Sequence, residues 1–191
     1  MPEINPFESS LRNIADLLDN NKIEYMVIGG IANVKWGNPR ATLDIDITIW
    51  IPDEKIKNLL SVLAIEHTLL VENPLEFISK TRALPVKNSK NQRIDLIFGS
   101  LPFEENAIKR AVKVQIGNTA INFCTAEDLI LLKIISDRDK DTEDVRGILQ
   151  FQKKNLDYDY LEPRITELAD FLDKPDIKRQ WEKWKKEEGL T

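Results

Sequence analysis

With 191 residues, 42% of them hydrophobic and 31% charged, the chain can bury one sizeable core and lies outside the disordered and fibrous classes. A net charge of −5 excludes a protein that coats polyanions with its whole surface, so a nucleic-acid partner would have to meet a local basic patch. Cys124 is the sole cysteine, which excludes an internal disulfide. The opening MPEINPFESS has no charged-then-apolar leader pattern, and no apolar run reaches membrane length, so a soluble cytoplasmic protein without a membrane partner is expected.

In chain order, Asn5-Pro6-Phe7-Glu8 opens a helix, with Asn5 as N-cap, Pro6 in the first turn and Leu11, Ile14, Leu17 and Leu18 at helical spacing. Glu24 to Ile28 leads into a strand that ends at Gly29-Gly30. A short helix from Ile31 to Trp36 stops at Gly37, with Pro39 beyond it. Asp44 to Ile51 alternates strictly and predicts a strand. Pro52-Asp53-Glu54 opens a helix to about Ala64. Glu76 to Val86 reads as a strand, Lys87 to Gln92 as a polar turn and Arg93 to Phe98 as a strand. Phe103 to Val112 predicts a helix, and Val114 to Phe123 an edge hairpin turning at Gly117-Asn118.

From Thr125 only helical patterns remain. Thr125-Ala126-Glu127-Asp128 resembles a capping box with aspartate in the acidic position. Helices are expected to about Asp139, from Thr142 to Lys154, from Tyr160 to Leu172 and from Asp176 to Glu188. The expected organisation is a mixed α/β core over residues 1–124 and a helical extension over 125–191 packed on it.

The chemistry concentrates in YMVIGGIANVKWGNPRATLDIDITIWI, residues 25–51. A double glycine between a strand and a helix lets a phosphate approach the backbone and the helix N-terminus. Asp44 and Asp46, spaced i, i+2 on a strand, share a face and lie about 7 Å apart at Cα. Thr48 and Trp50 share that face, while Ile45, Ile47, Ile49 and Ile51 form a core face. Aspartate is depleted from strands and like charges on one face repel, so the pair suits divalent cations held against a polyphosphate better than an ordinary wet strand face. In Arg93-Ile94-Asp95-Leu96-Ile97, the flanking Ile94 and Leu96 would face the core and leave Asp95 on the side of the pair. There it could complete a metal site and help deprotonate an attacking hydroxyl.

Apolar-Gly29-Gly30, thirteen intervening residues, Asp44-Ile45-Asp46-Ile47 and a later strand aspartate resemble the DNA polymerase β-type nucleotidyltransferase superfamily. Arg40-x-Thr42-x-Asp44-Ile45-Asp46, with Glu127-Asp128-Leu129, Lys133 and Arg138-x-Lys140-Asp141-x-x-Asp144, resembles the AbiEii-like abortive-infection nucleotidyltransferases of toxin–antitoxin systems. The resemblance spans residues 25 to about 150. It implies a mixed sheet backed by helices, two Mg2+ ions and a nucleoside triphosphate donor. Asp44 and Asp46 would hold both metals and Asp95 the catalytic one; Gly29 and Gly30 would cradle phosphates, with Lys133 on the triphosphate. Arg40 and Thr42 would touch phosphates or order their loop. An acceptor hydroxyl on RNA (tRNA included), a protein or a small molecule such as an antibiotic is implied, with a cognate toxin or antitoxin as a protein partner. A nucleotidyltransferase-like binding module is the rival expectation. Many relatives carry serine where this chain has Gly30, which leaves phosphate binding there to the backbone.

Two basic groups have bland alternatives. Lys133, amid Leu129 to Ile135, would otherwise pair with Asp137, and methionine in its place is expected to leave the fold intact. The tail cations Lys174, Lys178, Arg179, Lys183, Lys185 and Lys186, with Trp181 and Trp184, and the loop cations Lys87, Lys90 and Arg93, are read as solvated faces before nucleic-acid grips. His67, with no partner set for catalysis, is expected to be structural.

Overall fold

The computed structural model describes residues 5–42, 44–136 and 138–190. The chain divides into two compact units, residues 1–31 with 41–124, and residues 32–40 with 125–191. Among the described residues no helix is long and apolar enough to cross a membrane.

The first unit is a seven-stranded mixed sheet with helices. Helix α1 (Pro6–Asn20) starts where the Asn5 side chain accepts a hydrogen bond from the Phe7 amide at 3.0 Å. Strand β1 (Glu24–Val27) follows, then helix α2 (Gly29–Trp36), whose later residues belong to the second unit. Next come β2 (Ile45–Trp50), a 3-10 turn (Asp53–Lys55), α3 (Ile56–Glu66), β3 (His67–Leu69), α4 (Pro74–Thr81), β4 (Ala83–Asn88), β5 (Arg93–Phe98), α5 (Pro102–Arg110), β6 (Val112–Ile116) and β7 (Thr119–Phe123). The strand order is β3-β4-β5-β2-β1-β7-β6. β2 runs parallel to β5 and β1 parallel to β7, and the other pairs are antiparallel. The expected mixed α/β architecture is therefore present.

Central position explains what β2 buries. Ile45, Ile47 and Ile49 are fully inaccessible, each burial stabilising by roughly 1.5–3 kcal/mol. Thr48, expected on the wet face with the aspartates, is 1% exposed. A strand with neighbours on both sides in a mixed sheet is covered on both faces along part of its length. Only Asp46, near its start, and Trp50, at its end, stay half-exposed.

Two stretches depart from the sequence reading. Residues 76–86 are not one strand: Asn73 and Pro74 start α4, Arg82 takes a left-handed turn (φ 53°), and the strand begins at Ala83. Proline at the first helical position was the overlooked signal. The helix beginning at Ala126 ends at Ile134 instead of near Asp139, and the following helix begins at Asp139 instead of Thr142. The short strand β3 carries His67, buried at 8% exposure; burial lowers its pKa, in keeping with a structural role.

The second unit comprises residues 32–40, α6 (Ala126–Ile134), α7 (Asp139–Gln152), α8 (Tyr158–Phe171) and α9 (Asp176–Glu187). Thr125 caps α6 by accepting from the Asp128 amide at 3.1 Å, while its hydroxyl donates to the Asp128 carboxylate at 2.8 Å. Leu131, Ile130, Ile148, Leu149 and Leu161 form the apolar centre. Gly147 packs closely here: a Cβ would lie 2.9 Å from Asn38 Nδ2 and 3.1 Å from its backbone nitrogen.

Inside this unit lies a buried ionic cluster. The Lys133 amine donates to Asp141 at 2.8 Å and Asp144 at 2.7 Å, with all three side chains 7% exposed or less. Asp144 also accepts from Arg40 Nε and Nη2, both at 3.0 Å, and from Asn33 Nδ2 at 2.9 Å. Arg138 reaches Asp141 at 2.6 Å. The alternative partner Asp137 lies outside the described residues. Burial raises both acids' pKa, but hydrogen bonds from Lys133, Ser136 and Arg138 to Asp141, and from Arg40 and Lys133 to Asp144, outweigh it and hold both below the usual carboxylate range.

The tolerance expected of methionine at 133 does not survive this geometry. Lys133→Met removes the buried amine that Asp141 and Asp144 share and leaves them only Arg138 and Arg40. Breaking a buried pair costs about 3–5 kcal/mol when the remaining charge is unmet, so a loss below that ceiling is expected. A matching drop in the urea midpoint is expected; an unchanged midpoint would mean the acids find water instead. The acids bind protons more weakly folded than unfolded. Their stabilisation is therefore present above the ordinary value of 3.8 and is lost as pH falls through it towards the lowered folded values. Thermal melts from pH 6 to 3 should show this decline in the wild type and a shallower one in Asp141→Asn.

Candidate active site in the first unit

The site is built where β1 turns into α2, against the start of β2. The Ile28 amide donates to the Asp46 carbonyl at 2.9 Å, pinning the end of β1 to β2. Gly29 then adopts φ +65°, a left-handed conformation that glycine enters at little cost. Space demands glycine as well. A Cβ at residue 29 would lie 2.0 Å from the Asp46 Oδ2 and 2.7 Å from its carboxyl carbon. The carboxylate therefore rests directly on the backbone of the turn.

Helix α2 begins at Gly29, two residues earlier than the sequence reading, so both glycines form its first turn. The unpaired amides of a first turn and the positive end of the helix dipole favour an anion there. Gly30 meets a different neighbour: a Cβ at that position would lie 2.6 Å from the Thr42 hydroxyl oxygen and 2.8 Å from its Cβ. The room a serine would need is filled by threonine from the facing loop. Thr42 in turn donates to the Asp44 carbonyl at 3.3 Å, tying the glycine turn to the segment that leads into the acids.

The three aspartates come from two adjacent strands. Asp44 lies one residue before β2 and is half-exposed. Asp46 and Asp95 are directly opposed in the parallel β2–β5 register, so their side chains share a face on strands about 4.8 Å apart. Ile94 and Leu96, which flank Asp95, are fully buried, as the alternation required. The acids do not close into one cage, however. Among the described residues no three acidic, histidine or cysteine side chains converge as a metal-binding group.

Arg93, read from the sequence only as a loop cation, is part of the site through a pairing with Asp95 that the sequence reading missed. Its Nε donates to both Asp95 oxygens at 3.1 Å, and its Nη2 lies 3.0 Å from Asp95 Oδ1. The hydrogen bond to Asp95 raises the guanidinium pKa most, then the Asp95 charge; after a small opposing effect of burial, Asp44 and Asp46 add to the rise. Arg93 is thus bonded to Asp95 and lies within electrostatic reach of Asp44 and Asp46. The signal was available, since i, i+2 spacing on a strand puts Arg93 on the face of Asp95. Half of the Arg93 side chain is exposed, so the pair contributes only about 0–1 kcal/mol and yields easily to another cation.

The structure thus brings together Gly29, Gly30, Thr42, Asp44, Asp46 and Asp95 within the first unit. Arg40 and Lys133, expected on phosphates, have their charges met in the second unit by Asp144 and by Asp141 with Asp144.

The fold has counterparts of known structure. The antibiotic-resistance factor ANT(2")-Ia, solved in complex with adenylyl-2"-tobramycin, superposes with a TM-score of 0.60 at 15% identity, over 87% of this chain and 99% of that one. An antigenic nucleotidyltransferase-like protein from Paracoccidioides brasiliensis gives 0.55 at 18% identity over 91% and 90%. The lincosamide antibiotic adenylyltransferase LnuA, solved with lincomycin, gives 0.52 at 15% identity over 78% and 98%. No curated protein matches the sequence. A family described as "Nucleotidyltransferase of unknown function (DUF6036)" matches residues 8–188. With nearly its whole length matched and the glycine turn set against opposed aspartates, the chain belongs to this nucleotidyltransferase family.

Proposed function

We propose that the protein transfers a nucleoside monophosphate from a nucleoside triphosphate to an acceptor hydroxyl, with release of pyrophosphate. The observation that carries this reading is the contact between the left-handed Gly29 backbone and the Asp46 carboxylate, itself opposite Asp95. It sets a phosphate-accepting helix N-terminus beside carboxylates, the pairing that phosphoryl transfer requires.

The donor set is all oxygen and carboxylate, which fits a hard cation such as Mg2+. Asp44, Asp46 and Asp95 would hold it, Asp95 after exchanging Arg93 for the metal. Bound there, Mg2+ would neutralise charge on the reacting phosphate and acidify the attacking hydroxyl. The protein's own groups divide the remaining work. The α2 amides at Gly29 and Gly30 receive the terminal phosphates, and the Thr42 hydroxyl, filling the space over Gly30, takes the place of the serine that many relatives carry. The acceptor oxygen bonds to the α-phosphorus as the bond to the bridging oxygen breaks, and the hydroxyl proton passes to Asp95. Arg40 and Lys133 act as counter-ions of buried acids instead of phosphate ligands.

A second reading, a binding module acting through a protein partner such as a cognate toxin or antitoxin, draws on the Arg93–Asp95 pair, which already occupies one acid. Linkage separates the two. For a nucleotidyltransferase, a triphosphate with magnesium at 100 times its Kd should stabilise the protein by about 2.7 kcal/mol, and neither component alone should do so. Incubation with labelled triphosphates and fractionated cell RNA, protein and small molecules then identifies what takes up label.

Asp46→Asn should abolish label transfer while leaving the melting temperature without magnesium unchanged or raised, because a charge is removed from a cluster of like charges. Retained turnover would sink the site assignment. Gly29→Ala should also lose transfer, but with reduced stability. The left-handed backbone costs a non-glycine residue about 1–2 kcal/mol, and its Cβ would also displace the Asp46 carboxylate. A fully active Gly29→Ala would demote the turn to a connection.

A further inference from the structure

Beyond Asp95, on the side of the sheet away from the glycines, the same face continues into a cationic row. Lys87 of β4 is directly opposite Arg93 of β5, and Pro85 is opposite Asp95. Opposed residues of an antiparallel pair share a face. Lys87, Arg93, Asp95 and Asp46 therefore lie on one face, and Leu84 and Val86 point to the buried side. Like charges set directly opposite each other destabilise a sheet, so the Lys87–Arg93 placement is a liability that folding alone does not ask for.

The row ends on a braced turn. The Asn88 side chain accepts from the amides of Lys90 and Gln92, both at 3.0 Å, and donates to Ser10 at 2.7 Å. Asn91 takes φ 64°. The Lys90 amine reaches only a neutral group, the Ser9 hydroxyl at 2.9 Å. Among the described residues neither Lys87 nor Lys90 forms an ion pair. The tail helix, which the sequence ranked equally as a basic patch, differs: Lys178 pairs with Asp170, Arg179 with Asp176, Lys183 with Glu187, and Lys185 with Glu162 and Glu182. In a chain of net charge −5, the β4–β5 row is a patch whose two lysines keep their charge to offer.

Its place in the strand order says to whom. The glycine turn lies at the end of β1, on one side of Asp46, while Lys87 lies two strands to the other side, past Asp95. The donor's phosphates belong with the glycines, so these cations serve the acceptor. We propose that the acceptor is a single-stranded nucleic acid. Its terminal hydroxyl lies at Asp95 and its last phosphodiesters lie along Arg93, Lys87 and Lys90. A polycationic antibiotic would meet the same row with repulsion, despite the fold shared with the antibiotic-resistance factor ANT(2")-Ia. This inference rests on the transfer reading above and names its acceptor.

The test separates binding from transfer. A fluorescein-labelled single-stranded RNA of twelve nucleotides, and DNA of the same sequence, are titrated with the full chain as wild type, Lys87→Glu/Lys90→Glu and Asp46→Asn. Fluorescence anisotropy is followed at several salt concentrations. The wild type should bind at least one strand, with affinity falling as salt rises. The charge-reversed variant should bind at least about tenfold more weakly, with a salt slope smaller by roughly 1.4, for two phosphates at about 0.7 each. An unchanged melting temperature shows that it is folded. Asp46→Asn should bind as the wild type does. Equal binding by wild type and the charge-reversed variant, or no binding of either strand by wild type, overturns the proposal. Strand binding with no label transfer from any triphosphate would leave the surface standing and sink the transferase reading instead. Transfer to kanamycin or to protein, with no strand bound, would keep that reading and sink this one.

Discussion

A missing side chain organises the site. At Gly29 the backbone turns left-handed within 2.0 Å, measured from where a Cβ would stand, of the Asp46 carboxylate. Any other residue would strain the backbone angle and push the carboxylate away. Because the neighbouring Ile28 amide is hydrogen-bonded to the Asp46 carbonyl, the turn, the start of α2 and the acid move as one piece. The arrangement sets the positive end of a helix dipole beside a negative group without their own side chains intervening. Gly30 repeats the device with a different partner, Thr42 supplying the bulk and the hydroxyl that residue 30 lacks.

Charge is handled in two contrasting ways. In the second unit, Lys133, Asp141 and Asp144 are withdrawn from water, and Arg40, Asn33 and Arg138 satisfy the remaining oxygens. Such a cluster carries a large desolvation penalty, offset only when every charged oxygen is met, as it is for both carboxylates here. In the first unit the acids remain half-exposed, and Arg93 is held on Asp95 by a weak, screened pair. Buried and fully satisfied charges hold a structure; exposed and loosely met ones are free to exchange partners. The two sets of aspartates differ in that respect and in little else of their composition.

Much of this was legible along the chain. Strict alternation from Asp44 to Ile51 specified β2 and its core face, because a strand has period two and isoleucine has nowhere else to go. The Asn5 and Thr125 caps marked helix starts through their own hydrogen-bonding chemistry, and the Asp-x-Asp pair and the double glycine singled out the acids and the turn that the fold sets side by side. These are signals confined to a few neighbouring residues, which local sterics and local hydrogen bonds can specify.

What lay beyond reach depended on strands and helices distant in sequence. Nothing in the order of residues says that Asp46 stands opposite Asp95, since register between strands so far apart along the chain is set by how they pack in the finished sheet. The pairing of Lys87 with Arg93 likewise waits on the sheet. Thr48 sits at the same parity as the aspartates yet is buried, because only the assembled sheet decides where a central strand is covered. Lys133 read as a phosphate ligand first and as an intrahelical partner second. Its carboxylates at 141 and 144 come from the next helix, and the helix break that brings them round is a packing outcome that periodicity does not encode. Sequence alone determined which residues could do chemistry and which faces they occupied. Tertiary structure decided their neighbours, because electrostatic partnership acts over a few ångströms of space and is indifferent to distance along the chain.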